Sequence, residues 1–279
     1  MGECQQHGCN GGSSQKANQN NDEGVKNTLS RIKYKFLVMS GKGGVGKTSV
    51  AVNLAMALAE KGFKVGLMDV DIHGPDVPRM LGLTGVKAGT SGEKLEPMRY
   101  SDNLSAISIE GILPDNDTAV IWRGPLKHAA ITQFISEVNW GDLDYLIIDS
   151  PPGTGDEPMS VAQTVPEARA IVVTTPQEVA LSDVRKSINF CKKLNIKIFG
   201  VVENMSGYAC PHCGEGIDPF GTGGGEKTAK QFGIRFLGRI PFDPNMVKAA
   251  DTGDAFQLTY KDAPVTKALH DIADILAKG

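Results

Sequence analysis

Residues 41–48 read Gly-Lys-Gly-Gly-Val-Gly-Lys-Thr. This spacing, G-x-x-x-x-G-K-[ST], is built to hold a phosphate chain. Gly41, Gly43, Gly44 and Gly46 let backbone N–H groups, with that of Val45, converge on an anion, and the helix that opens at Lys47, Thr48 and Ser49 adds its positive dipole end. Lys47 is expected to reach the β- and γ-phosphates, and the Thr48 hydroxyl to ligate Mg²⁺. A nucleoside triphosphate with Mg²⁺ is the implied ligand. The flanks agree: the apolar run Phe36-Leu-Val-Met39 reads as a buried strand entering the loop, and the small-residue segment 49–59 as the helix leaving it.

Carboxylates stand at the ends of two other apolar runs. Residues 65–69 end in Asp69-Val-Asp71, which suits holding a metal's water shell and positioning a water. His73, just beyond, reads as a loop histidine. Residues 144–149, Asp-Tyr-Leu-Ile-Ile-Asp, close on Asp149, the arrangement that holds Mg²⁺ through its waters. The following Ser-Pro-Pro-Gly-Thr-Gly-Asp-Glu157 joins stiff prolines to glycines that permit close approach to a γ-phosphate, as a switch loop requires.

A second chemistry lies at Cys210-Pro-His-Cys213. Two thiolates on one tight turn select Zn²⁺, Cu(I) or an iron–sulfur cluster. Tetrahedral zinc and a 4Fe–4S cluster both want about four protein ligands. The folded region offers two, and a two-fold dimer doubles them, so a shared site on the symmetry axis solves the count. Zinc, a cluster and a dithiol–disulfide switch all remain open at this level. Of the five cysteines, Cys191 shares a helical face with Val184 and Ile188 and reads as a buried structural thiol. Trp122 and Trp140 read as core or interface.

The elements needed to position these groups alternate along the chain. Strands are expected at 36–40, 65–69, 104–109, 144–149, 169–174, 197–203 and 235–239. Helices are expected at 48–61, 125–138, 157–164, 178–194, 225–232, 244–250 and 264–277. Such alternation predicts an α/β fold with a mostly parallel central sheet and helices on both faces, its ligands at the carboxyl ends of the strands. Residues 1–31, rich in Gly, Asn, Gln and Ser, are expected to be a disordered tail carrying Cys4 and Cys9, and 32–279 a single domain with the cysteine motif inserted. A net charge of −3 argues against a nucleic-acid surface, no apolar run approaches the roughly 20 residues of a membrane span, and the polar N-terminus lacks a signal peptide's apolar core. A cytoplasmic protein with no nucleic-acid or membrane partner is expected.

The second lysine of the loop, Lys42, makes KGGVGKT resemble the deviant Walker A motif of the class that includes nitrogenase iron protein, MinD and ParA. The resemblance implies that Lys42 reaches a partner subunit's phosphates across a homodimer that sandwiches two ATP molecules. Ile121-Trp-Arg-Gly-Pro125, the run from Trp140 to Asp156, the CPHC motif and Ile240-Pro-Phe-Asp-Pro…Ala250-Asp-Thr-Gly253 then occur in order. Together they resemble the Mrp/ApbC-type iron–sulfur cluster carrier P-loop ATPases over residues 32–279. That resemblance implies a 4Fe–4S cluster bridged between subunits by Cys210 and Cys213, ATP binding and slow hydrolysis, and transfer of the cluster to recipient apoproteins. It gives catalytic roles to Lys42, Lys47 and Asp71, with Asp71 orienting the attacking water. Nucleotide contacts fall to Gly41–Ser49, Asp69 and Asp149, with Asn204 reading adenine and Pro241 on the base's other side. Relatives carry a further N-terminal domain or a four-cysteine N-terminal motif, where this chain has Cys4 and Cys9 flanking His7. The alternative is a MinD/ParA-like positioning ATPase with a structural zinc at the CxxC. Neither MinD's basic amphipathic C-terminal helix nor a basic DNA-binding surface is apparent: residues 264–277 place Val265, Leu269, Ile272 and Leu276 on one face without a basic excess.

Overall fold

A computed structural model describes residues 22–72, 74–92, 94–112, 124–210 and 212–279. Cys4, His7, Cys9, His73, Trp122 and Pro211, like most of the 121–125 motif, therefore lie outside the described residues.

An eight-stranded sheet forms the centre, in the order β12-β9-β8-β1-β7-β2-β6-β5. These strands are β1 (Ile32–Ser40), β2 (Val65–Asp69), β5 (Met98–Arg99), β6 (Leu104–Ile107), β7 (Leu143–Asp149), β8 (Arg169–Thr174), β9 (Lys197–Asn204) and β12 (Phe236–Ile240). All neighbours run parallel except the short edge strand β5, which is antiparallel to β6. The alternation along β1 explains why both faces are covered. Phe36 and Val38 enter one core with α2 (Lys47–Glu60) and α10 (Pro264–Ala277). Leu37 and Met39 enter the other, with α4 (Gly124–Ser136), α5 (Asp156–Thr164) and α6 (Glu178–Lys193).

Register sets the chemistry. Asp69 pairs directly with Asp149 across β2 and β7, and Asp149 with Val38 of β1. Three strand ends, and the loop leaving β1, therefore meet at one point on the carboxyl edge.

Besides the short added elements α3 (Val77–Met80), β5 and α9 (Phe256–Thr259) and an earlier start to β1, the structure departs from the sequence expectations as follows. Within the segment expected to be a tail, residues 22–30 form a helix, α1, whose Val25 is buried in the second core with Leu29 packed beside it. The strand expected to run to residue 109 ends at Ile107. Ser108 stops it by accepting the Glu110 N–H and opening a 3₁₀ turn, Ile109–Gly111. Two small hairpins are added, β3 (Gly89–Ser91) with β4 (Lys94–Glu96), and β10 (Tyr208–Ala209) with β11 (Gly216–Ile217). Cys191 and Trp140 are buried as expected. The Cys191 thiol packs 3.4 Å from the Met39 sulfur and burial pushes its pKa up to about 12, while the Trp140 indole donates to the Phe134 carbonyl at 2.9 Å.

Candidate functional site

A cleft of about 400 Å³ opens over the phosphate loop. Its floor is Lys42 to Ser49, and Asp71, Pro152 and Asn204 reach it from three other strand ends. Gly46 caps α2 with a left-handed backbone, φ 76°. A β-carbon there would stand 2.3 Å from the Asn204 amide nitrogen, so glycine is required twice over. That amide nitrogen donates to the Val45 carbonyl at 2.9 Å, tying the end of β9 to the loop.

Beneath the cleft lies a buried charged group. Lys47 Nζ donates to Asp149 Oδ1 at 2.6 Å and to Thr48 Oγ1 at 3.0 Å. The second oxygen of Asp149 is buried with no hydrogen-bond partner among the described residues. An orphaned carboxylate oxygen beside a threonine hydroxyl fits the hydrated shell of a hard cation such as Mg²⁺. Burial raises the Asp149 pKa against the pull of Lys47. Asp69 is raised further, first by burial and then by the charge of Asp149. Asp69 sits one layer back: Oδ1 accepts the Asp71 N–H at 3.0 Å and Oδ2 the Ser108 hydroxyl at 3.3 Å. It thus fixes the backbone that presents Asp71, whose own carboxylate accepts the Gly74 N–H at 3.3 Å.

The loop after β7, expected from the sequence to act as a switch, is anchored on the same strand ends. Gly153 donates to the Ser40 carbonyl at 2.8 Å, and Glu157 pairs with Lys127 of α4 at 2.6 Å, both side chains largely buried. Gly41 lies outside the cleft lining and packs against the backbone of Asp183 in α6.

The opposite wall was less legible. It comprises Phe242, Asp243, Met246, Val247, Ala250 and Asp251 from the start and body of α8 (Pro244–Thr252), with Met80 from α3 (Val77–Met80). Pro241 precedes this wall without lining it. Phe242, Met246 and Ala250 recur at i, i+4 and i+8, the helical spacing that could have identified the face.

The cysteines stand on a hairpin next to this wall. The β10–β11 pair brings them to a turn closed by Cys210 N–H to the Glu215 carbonyl at 2.9 Å and Gly214 N–H to the Cys210 carbonyl at 2.8 Å. Cys213 is exposed and Cys210 partly so. The Cys213 N–H, then that of His212, aim at the Cys210 sulfur and lower its pKa, favouring the thiolate form. Among the described residues no three His, Cys, Asp or Glu side chains group to hold a metal ion. The hairpin touches the cleft wall directly: the Phe242 ring packs edge-on against Tyr208 at 5.8 Å and Phe220 at 6.1 Å.

With this geometry in hand, comparison with known proteins is specific. A family model described as ParA, the NUBPL iron-transfer P-loop NTPase, matches residues 31–277. An iron–sulfur cluster carrier protein of Saccharolobus solfataricus is 49% identical over 255 residues, 91% of this chain and 86% of that one. One from Methanocaldococcus jannaschii is 51% identical over 233 residues, 83% and 80% of the two chains. A nucleotide-binding protein from Archaeoglobus fulgidus, solved in complex with ADP, superposes with a TM-score of 0.74 at 39% identity, over 83% of this chain and 91% of that one. The cell-division protein MinD of Aquifex aeolicus shares the fold, with a TM-score of 0.65 at 22% identity over 88% and 97%. A parallel sheet that gathers a phosphate loop, two buried aspartates and a CxxC hairpin at one edge is thus found where sequence similarity runs almost end to end, and this chain belongs to the NUBPL iron-transfer family of P-loop NTPases.

Proposed function

We propose that this protein carries a 4Fe–4S cluster, held between two subunits by Cys210 and Cys213 of each, and passes it to apoproteins under the control of ATP. The observation that carries this reading is the contact of the two chemistries. One wall residue, Phe242, touches the nucleotide cleft on one side and the cysteine hairpin on the other. The cluster is cargo, and the thiolates are its docking ligands.

In this reading the buried Lys47–Asp149 pair would part when nucleotide binds. Lys47 would turn to the β- and γ-phosphates, Thr48 would ligate Mg²⁺, and Asp149 would hold that ion's water shell. Mg²⁺ supplies charge neutralisation on the phosphates. Asp71 orients the water that attacks the γ-phosphorus as the bond to the ADP oxygen breaks. Lys42, which lines the cleft, reaches the partner's phosphates, and Asn204 with the α8 wall holds the base. Val179 and Met159, exposed apolar residues near the starts of α6 and α5, lie on the carboxyl side of the sheet where a second copy would cover them.

Anaerobic reconstitution of the wild type and of Cys210→Ser/Cys213→Ser tests the cargo. One 4Fe–4S cluster per wild-type dimer by iron, sulfide and Mössbauer spectrum, and none in the variant, is the expected result. Retained zinc in a colourless wild type would return the protein to the zinc-clasped positioning reading.

A further inference from the structure

Glu203 is a charged side chain with no solvent exposure, next to Asn204 at the end of β9. Neighbouring residues of a strand point to opposite faces. Asn204 turns to the phosphate loop, through its bond to the Val45 carbonyl. Glu203 turns the other way, to the two stems of the cysteine insert. On the outgoing stem, the Ser206 hydroxyl donates to Oε1 at 2.5 Å. On the returning stem, the Gly223 N–H donates to Oε1 at 2.8 Å and the Gly225 N–H to Oε2. Those glycines open α7 (Gly224–Phe232), so the carboxylate also meets a helix N-terminus. Arg239 of β12 approaches Oε1 at 3.4 Å and pairs with Glu226 of α7 as well.

The sequence is shaped around this carboxylate. A β-carbon at Gly225 would lie 3.0 Å from Glu203 Oε2, and one at Gly224 would strike the Pro176 carbonyl at 2.5 Å. The glycine run 223–225 is what lets the returning stem come down onto the buried charge. Charge-assisted hydrogen bonds are among the strongest in a protein, and each of these would be expensive to leave unmade once buried.

We propose that Glu203 is a positioning residue that transmits the state of the nucleotide cleft to Cys210 and Cys213. Both ends of the cysteine insert are tied to one carboxylate, and that carboxylate is adjacent in the chain to the side chain that ties β9 to the phosphate loop. A displacement of the β9 end therefore moves the whole insert as a unit. Phe242 meets the insert through ring contacts and one hydrogen bond, its N–H to the Gly207 carbonyl at 2.8 Å on the outgoing stem, whereas Glu203 hydrogen-bonds both stems. The inference rests on the coupling of cleft and cysteines proposed above.

The test uses the reduced full-length protein and reads alkylation of Cys210 and Cys213 peptide by peptide, with and without Mg²⁺·ATP. Buried Cys191 is the internal unreactive control. In the wild type, nucleotide should change the alkylation rates about fivefold or more. In Glu203→Gln, where an amide NH₂ replaces one acceptor oxygen, that ratio should fall to about one while ATP affinity stays within about threefold. A residue that merely supports the fold would shift the basal rates or the melting temperature and leave the ratio intact, and that result would overturn the proposal. Ser206→Ala removes one donor from one stem and serves if Glu203→Gln does not fold: its ratio should drop, and an unchanged ratio is equally damaging. Wild-type rates indifferent to nucleotide would remove the coupling itself, and this inference with it, whereas a responsive wild type with responsive variants removes only the role of Glu203.

Discussion

Asp69 is held where a carboxylate is uncomfortable. Burial and the neighbouring Asp149 raise its pKa well above the usual carboxylate range, although it touches neither cleft nor solvent. Its folded-state value lies above its unfolded value, so the folded protein holds the extra proton. The stability this gives is complete below the unfolded pKa and is lost as pH rises through the folded one. Asp69→Asn removes the titration and can keep the Asp71 N–H and Ser108 contacts. In chelated, nucleotide-free buffer the variant should gain stability on the wild type as pH rises above the ordinary carboxylate range, read in urea unfolding. Hydrolysis should fall only as far as the substitution loosens the backbone that presents Asp71. A constant difference between the two proteins over that rise in pH would show that Asp69 carries no such penalty.

At the scale of elements, the largest revision is α1. Polar residues dominate 1–31, and that average hides Val25, Thr28 and Leu29, which recur at helical spacing with Val25 and Thr28 buried. Val25→Asp should destabilise the domain by about 2–3 kcal/mol, the worth of a buried valine plus the burden of a buried charge. Removing residues 1–30 should lower the unfolding midpoint in urea more than removing 1–21. Equal midpoints would mean that α1 only rests on the core. The rest of the architecture was far more legible, for a physical reason. Parallel strands buried on both faces are continuous apolar runs, and β1, β2, β7, β8 and β9 announce themselves by composition. The phosphate loop and the aspartates at strand ends were equally plain, because their chemistry demands particular residues at particular spacings. What the sequence concealed depends on contacts between distant segments. Ser108 finds Asp69 only because β6 lies beside β2. Phe242 becomes a cleft wall only once α8 packs over the loop, and Glu203 looked like one polar residue closing a strand.

At the scale of the whole molecule, the proposed sandwich makes a prediction about sharing. If Lys42 serves the partner's site and Asp71 its own, each ATP is hydrolysed by a composite of two chains. Lys42→Ala homodimers then lack the lysine at both sites, and Asp71→Asn homodimers lack the water-positioning carboxylate at both. Each pure variant should bind ATP and turn it over poorly. In a mixed dimer the losses fall on the same site: the Asp71→Asn subunit's site has neither group, while the Lys42→Ala subunit's site keeps its own Asp71 and receives Lys42 from its partner. One good site is thereby rebuilt from two inactive proteins. Random exchange of equal amounts makes about half the dimers mixed, each with one of two sites restored, so activity should recover to about a quarter of the wild-type value. Lys42 lines the cleft of its own chain as well, so action within one subunit is a real competitor. In that case every site in the mixture lacks one essential group, and steady-state hydrolysis stays at the level of the separate variants at every mixing ratio.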